Sequence, residues 1–257
     1  MTPRRTVEII HRKARNGRTE PIFCSCELTD ENVEPQSYFV KLHSNLGDGS
    51  IKELVTAHIG RKLGLPIPEA AILEIDPLLL QHFGIDDEQT TNLHIGSRAM
   101  LGSYSAFNRQ YTFPKHVLPM AFDIFAWDML IDNADRQTQN PNLLFDGSQF
   151  VVIDHENSLP AALFIGARPP AWDFRTRRIA TGHAFFKLLK SELEPTSFDR
   201  FINRLSLISD QFLTEIQSDV PEEWNFRSKL ETICEHFATV RDDPKSLKFE
   251  LLGTLAS

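Results

Sequence analysis

Two short stretches of this chain hold most of its chemistry. The first is Asp132-Asn-Ala-Asp135-Arg136-Gln-Thr-Gln-Asn140-Pro-Asn142, and the second, Asp154-His155-Glu156, follows the apolar run Phe150-Val-Val-Ile153. Between them, Asn142-Leu-Leu-Phe145, the turn pair Asp146-Gly147 and Gln149 to Ile153 read as a β-hairpin. Such a hairpin brings Asp135, Asn140 and Asn142 to the same edge as Asp154. Carboxylate and amide oxygens suit a hard cation such as magnesium, which takes one or two carboxylates together with phosphates. Asp154 comes directly after three aliphatics of a buried strand, where a carboxylate needs a partner or a metal.

Upstream, Lys41 follows the strand-like Tyr38-Phe39-Val40, and Glu53 falls in a helical stretch. Phosphoryl transfer reuses four such parts. They are an Asp at the attacking hydroxyl, an Asn and a post-strand Asp for metals, and a Lys on an earlier strand for nucleotide phosphates. Lys41, Asp135, Asn140 and Asp154 occur in that order, with Asn140 five positions after Asp135.

Each residue also has a plainer reading. Asp132 and Asp135 suit the loop after a helix, and Asn140-Pro141-Asn142 is ordinary turn chemistry. Lys41 could be an edge-strand charge, and His155 and Glu156 read as loop residues outside the catalytic set. Ser50-Ile-Lys-Glu53 is a capping-box signature, so Glu53 either bonds its own helix backbone or pairs with Lys41; one carboxylate hardly does both.

The elements that must position these groups change in type along the chain. Thr6 to Ala14 alternates, with Val7, Ile9 and His11 on one face; Asn16-Gly17 signals a tight turn, and Ile22 to Leu28 returns. Tyr38 to Leu42, Ala70 to Ile75 and Leu93 to Leu101 give further strands, with one helix carrying the apolar stripe Ile51, Leu54, Val55, Ile59 and Leu63. After residue 103 the pattern turns helical, through Pro119 to Leu130, His183 to Leu193, Ser197 to Ser218 and Pro221 to Val240.

Composition narrows the function classes. The chain has 257 residues, 41% hydrophobic and 24% charged, enough to bury a sizeable core. A net charge of -8 with scattered Lys and Arg argues against nucleic acid as a partner. Three cysteines make no disulfide framework, and Cys24-x-Cys26 with His11 falls short of zinc spacing. No signal-like start and no long apolar run is present, so a soluble, cytoplasmic protein away from membranes is expected.

Asp135-Arg136-x-x-x-Asn140 followed by Val-Val-Ile-Asp154-His155-Glu156 resembles the catalytic loop and metal site of the HipA family of kinases, distant relatives of the phosphoinositide kinases. Phe39-Val-Lys41-Leu, Glu53-Leu-Val and Leu63-Gly-Leu-Pro66-Ile-Pro68 resemble the same family's N-lobe. Two features depart from the pattern. Gln137 stands where phosphoinositide kinases and many relatives have His, and no Gly-rich loop is evident; Ala14 to Thr19 is the nearest candidate to cover phosphates.

The resemblance implies an α+β, two-lobed protein-kinase-like fold. Residues 1–103 would form an N-lobe with an antiparallel sheet and one main helix, and residues 104–257 a helical C-lobe with the catalytic β-hairpin. It implies ATP and Mg2+ as cofactors, with Lys41 on the nucleotide phosphates and Glu53 completing the nucleotide site by orienting Lys41, Asn140 and Asp154 on the metal, and Asp135 and Arg136 catalytic. Adenine would sit near the end of the strand Ile95 to Leu101, and the segment 161–181 could serve as an activation or substrate segment.

The chain is shorter than the family's full toxin architecture, so a compact stand-alone kinase core is expected. Its acceptor would be a Ser or Thr of an unidentified protein, or of the chain itself, and an antitoxin or regulatory protein could be a partner. Competing readings are a small-molecule kinase, a catalytically silent nucleotide-binding module and, more remotely, a metallohydrolase built on Asp132, Asp135, Asp154 and His155.

Overall fold

In the computed structural model, residues 1–14, 19–26, 36–85, 91–100, 102–107, 114–160 and 177–256 are described. The first part is built from strands β1 (Arg4–Lys13), β2 (Ile22–Cys26), β3 (Gln36–Lys41), β4 (Ala70–Glu74) and β5 (Leu93–Arg98). Neighbours pair antiparallel in the order β1-β2-β3-β5-β4, and a parallel pairing of β1 with β4, from Arg4↔Ile72 to Thr6↔Glu74, closes the sheet into a barrel. The pairing is mostly antiparallel, as the sequence suggests, and the parallel closure is what the sequence did not show. Closure removes the unpaired edges that an open sheet would leave.

The side-chain alternation of β1 also differs from the sequence reading. Its register shifts between Val7 and Ile9 and again between Ile10 and Arg12. Each shift inserts a residue that turns the following side chains to the other face. Val7 and Ile10 therefore enter the core, while Ile9 points outward. They join Ile22, Cys24, Cys26, Tyr38, Val40, Ala71, Leu73 and Ile75 inside the barrel. Burial, with the neighbouring Cys26, pushes the Cys24 thiol up to about 12, as suits an inert core residue. His11 Nε2 meets Ser25 Oγ at 2.7 Å, so its partner is a hydroxyl of the next strand.

Between β3 and β4 lie a single turn, α1 (His43–Leu46), and the main helix, α2 (Gly49–Lys62). α2 is not started by the expected capping box: Asp48 occupies the cap position without a side-chain bond to the helix N-terminus, and Ser50 Oγ meets His43 Nδ1 at 2.8 Å. A short helix absent from the sequence reading, α3 (Pro77–His82), is capped by Asp76, whose side chain accepts from the Leu78 N–H at 2.8 Å.

Among the described residues, the rest of the chain contributes α4 (Leu118–Leu130), a three-stranded sheet of β6 (Ser105–Ala106), β7 (Leu143–Phe145) and β8 (Phe150–Val152), and six further α-helices. These are α5 (Arg177–Gly182), α6 (Phe186–Ser191), α7 (Asp199–Arg204), α8 (Asp210–Asp219), α9 (Arg227–Asp242) and α10 (Pro244–Ala256). Where one helix was expected over 197–218 there are two. Ser209 is extended and accepts from the Phe212 N–H at 3.1 Å, which ends one helical run and starts the next. Pro221 opens only a 3-10 turn, because Asn225 takes a left-handed conformation (φ 52°) before α9 begins. α10 was not expected from sequence.

One apolar core joins α2 to the helical half. Ile51, Leu54 and Ile59 pack in the same cluster as Phe125 and Trp127 of α4, Val152 of β8 and Phe237 of α9. The segment leaving α2 is tied in as well, since the Val152 N–H donates to the Pro66 carbonyl at 2.9 Å. α2 is thereby a rigid bridge from the barrel to the hairpin that carries Asp154.

Candidate active site

β3 ends on Lys41, which places its ammonium outside the barrel and against α2. Nζ has three protons, and each has a carboxylate: Glu53 Oε1 at 2.5 Å, Asp154 Oδ1 at 2.6 Å and Glu156 Oε2 at 2.7 Å. Burial works against the ammonium, but Glu53, then Asp154 and Glu156, outweigh it and hold the Lys41 pKa above its usual value. Lys41 is therefore charged at any ordinary pH.

The three carboxylates differ in access. Asp154 is 37% exposed, whereas Glu53 and Glu156 are 8% and 6% exposed. Their oxygens lie within 4.8 Å of one another, a spacing that can hold a metal ion. Oxygen donors of this kind fit a hard cation such as magnesium, and Asp154 is the carboxylate that solvent reaches most.

The path of the chain after β8 explains why alternate residues converge. Asp154 has φ 65°, a left-handed conformation that turns the strand end back and lets both Asp154 and Glu156 face Lys41. Asp132 and Asn142 share this conformation, with φ 49° and 46°, so non-glycine residues held in the left-handed region mark both ends of the hairpin and its preceding loop. Such conformations persist where the surrounding structure fixes them, and they gather at functional sites.

Asp135 lies half-buried on the loop between α4 and β7. Its Oδ2 accepts from Asn157 Nδ2 at 2.5 Å, which connects it to the Asp154–Glu156 turn. Asn140 stands exposed near the end of the same loop. Arg136, by contrast, is fully buried. Its Nε donates to Asp128 Oδ2 at 2.6 Å, and Nη1 donates to the carbonyls of Asn142 at 2.7 Å, Pro141 at 3.0 Å and Ile153 at 3.4 Å. The guanidinium is thus spent on the loop and on the strand end.

His155 and Glu156, read from sequence as loop residues, are buried members of this site. His155 Nε2 accepts from Arg136 Nη2 at 3.3 Å and from Trp127 Nε1 at 3.4 Å, which leaves the ring proton on Nδ1, facing Glu53 Oε2 at 4.0 Å. Burial, reinforced by Arg136, pushes the His155 pKa down to about 3, so the ring is neutral.

Sequence reasoning also passed over Asp128, Asn133, Asn157 and His183. Asp128 had a readable signal, because a carboxylate inside the otherwise apolar run from Ile124 to Ile131 is not surface chemistry. The proposed phosphate-covering stretch 15–18 and most of the proposed activation segment, 161–176, lie outside the described residues.

A family model described as HipA-like kinase matches residues 7–243. Among solved structures, the crystal structure of a Helicobacter pylori proinflammatory kinase, CtkA, is similar over 97% of this chain and 99% of that one, with a TM-score of 0.54 and 13% sequence identity. At that identity the likeness concerns the fold. No curated protein sequence matches the chain. The family match spans the barrel, α2, the Asp135 loop and the Asp154 turn together, and on that ground the chain belongs to the HipA-like kinase family.

Proposed function

We propose that this kinase uses ATP and magnesium to phosphorylate a Ser or Thr hydroxyl of a protein, its own chain included. The observation that carries the reading is the convergence on one ammonium: Lys41 of β3 bonds Glu53 of α2 and Asp154 of the post-hairpin turn at 2.5 and 2.6 Å. That is the arrangement a phosphoryl-transfer site needs to hold nucleotide phosphates beside a metal-binding carboxylate.

In this reading Lys41 exchanges its bond to the exposed Asp154 for the α- and β-phosphates, while the buried Glu53 and Glu156 keep its ammonium in place. Asp154, the more exposed carboxylate, and Asn140 hold the metal. Magnesium, when bound, neutralises charge on the phosphate oxygens. Asp135 accepts or orients the proton of the acceptor hydroxyl, with Asn157 fixing its carboxylate by the 2.5 Å bond. Arg136 serves by holding the loop and does not touch phosphate, since its donors already have protein partners. A cytoplasmic setting and a regulatory protein partner of the antitoxin kind complete the reading.

The test is label transfer from γ-labelled ATP, with magnesium or with EDTA, by the purified protein and by Asp135→Asn, alone and with a cell extract. Label on a polypeptide that requires magnesium and is lost in the variant supports the proposal. Label on a small molecule would select a small-molecule kinase, and ATP binding without transfer would select a silent nucleotide-binding module.

A further inference from the structure

The carboxylate of Asp128, buried in α4, collects side chains from separate parts of the chain. Oδ1 accepts from Asn133 Nδ2 at 2.8 Å, while Oδ2 accepts from Arg136 Nε at 2.6 Å and from His183 Nε2 at 3.0 Å. All four residues are buried. A carboxylate in such a place is costly unless it is both neutralised and fully bonded. Arg136 supplies the charge, and His183 supplies a donor without one. His183 Nδ1 accepts from the Phe185 N–H at 3.1 Å, so the ring proton sits on Nε2, toward Asp128. Burial keeps this imidazole below its ordinary pKa, in the neutral form that the geometry requires.

The partners of Asp128 are also the fixed points of the Asp135 loop. Asn133 Oδ1 accepts from the backbone N–H of Asp135 at 3.2 Å. The Arg136 carbonyl accepts from the Ala184 N–H at 3.0 Å, and Gln137 and His183 form an antiparallel bridge. The loop is therefore pinned to residues 183–184 twice, once by backbone and once through the Asp128 carboxylate.

We propose that Asp128 and His183 are a positioning pair that sets the Asp135 carboxylate for transfer, working on the acceptor side of the reaction and leaving nucleotide binding to Lys41, Glu53 and Glu156. The proposal rests on the kinase reading for its kinetic consequence, but the clamp itself is a property of the fold. The pair differs from a merely structural cluster in one respect: its loss should lower turnover without weakening ATP binding.

The test compares His183→Leu, which removes the donor, with His183→Gln, whose amide keeps a neutral N–H near Nε2. Steady-state kinetics, thermal melts and hydrogen exchange over residues 133–142 are measured on each. The expected result is a fall of about 100-fold in kcat for His183→Leu with the KM for ATP unchanged, and recovery of most of it in His183→Gln. Equal impairment of the two variants, or a KM for ATP that rises in step, would overturn the proposal.

Should His183→Leu fail to fold, Asn133→Ala breaks only the link from Asp128 to Asp135, and full kcat in that variant also overturns it. If the wild-type protein transfers no phosphate, the kinase reading fails and hydrogen exchange decides the clamp. Faster exchange over 133–142 in His183→Leu or Asn133→Ala, restored in His183→Gln, supports it, and unchanged exchange sinks it.

Discussion

The ammonium of Lys41 and the carboxylate of Glu53 meet at 2.5 Å where β3 ends against the second turn of α2, and both side chains are largely buried. The contact fixes how α2 sits on the barrel, and through α2 how the barrel sits on the hairpin that bears Asp154. Removing Lys41 leaves the carboxylate of Glu53 without its compensating cation.

Lys41→Met should accordingly destabilise the fold by about 3–5 kcal/mol near neutral pH. Glu53 and Glu156 would then face Asp154 with no cation among them. Glu53→Gln leaves Lys41 two carboxylates and should cost less. Urea denaturation of the two variants near neutral pH measures this, and an equal loss in both would show that the cluster does not carry the charge assigned to it.

Asp154 and Asp135 should separate by assay. Asp154→Asn removes the exposed carboxylate that also bonds Lys41 at 2.6 Å, and is expected to weaken magnesium-dependent ATP binding by about tenfold or more, or roughly 1.4 kcal/mol. Asp135→Asn should bind ATP as the wild type does while transfer falls by about 10³-fold. Calorimetric titration with and without magnesium, alongside label transfer, distinguishes the two; weakened ATP binding in Asp135→Asn would remove that residue from the acceptor side.

The motifs legible in the sequence were those whose order along the chain mirrors a known division of labour, namely Lys41, Asp135, Asn140 and Asp154. The hairpin before Asp154 was legible too, because Asp146-Gly147 states its own turn and the Asp146 side chain accepts from the Ser148 and Gln149 N–H groups, each at 2.8 Å. What escaped was anything decided by tertiary partners. Glu53 matches a local capping signature as well as a long-range ion pair, and only the arrival of Lys41 shows which one forms. Glu156 and His155 follow a strand and look like a loop until the left-handed turn at Asp154 carries them inward. The bulges of β1 reversed the expected facing of Ile9 for a similar reason, since register belongs to the pair of strands and not to either one.

Arg136→Lys should be disruptive although it keeps the charge. The guanidinium spans Asp128, three carbonyls and His155 with separate nitrogens, whereas an ammonium is a single point on a flexible stem. Some of these acceptors would remain buried without a donor, at about 1–3 kcal/mol for each unsatisfied group. The variant is expected to melt well below the wild type and to show faster hydrogen exchange both in the Asp135 loop and at Ile153. A melt within a degree or so of the wild type would mean that the loop does not depend on the fork.

Acid should weaken the protein through His155. In the fold its Nε2 is occupied by the donors Arg136 and Trp127, and burial, with Arg136 beside it, keeps its pKa at about 3. In the unfolded chain the ring returns to an ordinary value near 6.5. Between those values the unfolded state binds a proton that the folded state refuses, so stability is full above pH 6.5 and falls as the pH drops toward 3. The slope is about 1.4 kcal/mol per pH unit for one such group. His183, His58 and His236 are shifted downward as well, chiefly by burial, and steepen the decline, while Asp123 and Asp132, shifted upward by burial, oppose it at the acid end. His155→Asn removes one titrating ring while offering an amide oxygen to Arg136. Its stability at neutral pH should be lower, but its decline between pH 6 and pH 5 should be shallower than that of the wild type by about one proton. Denaturant midpoints across that range read the difference directly, and parallel slopes would mean that the folded protein protonates His155 as readily as the unfolded chain does.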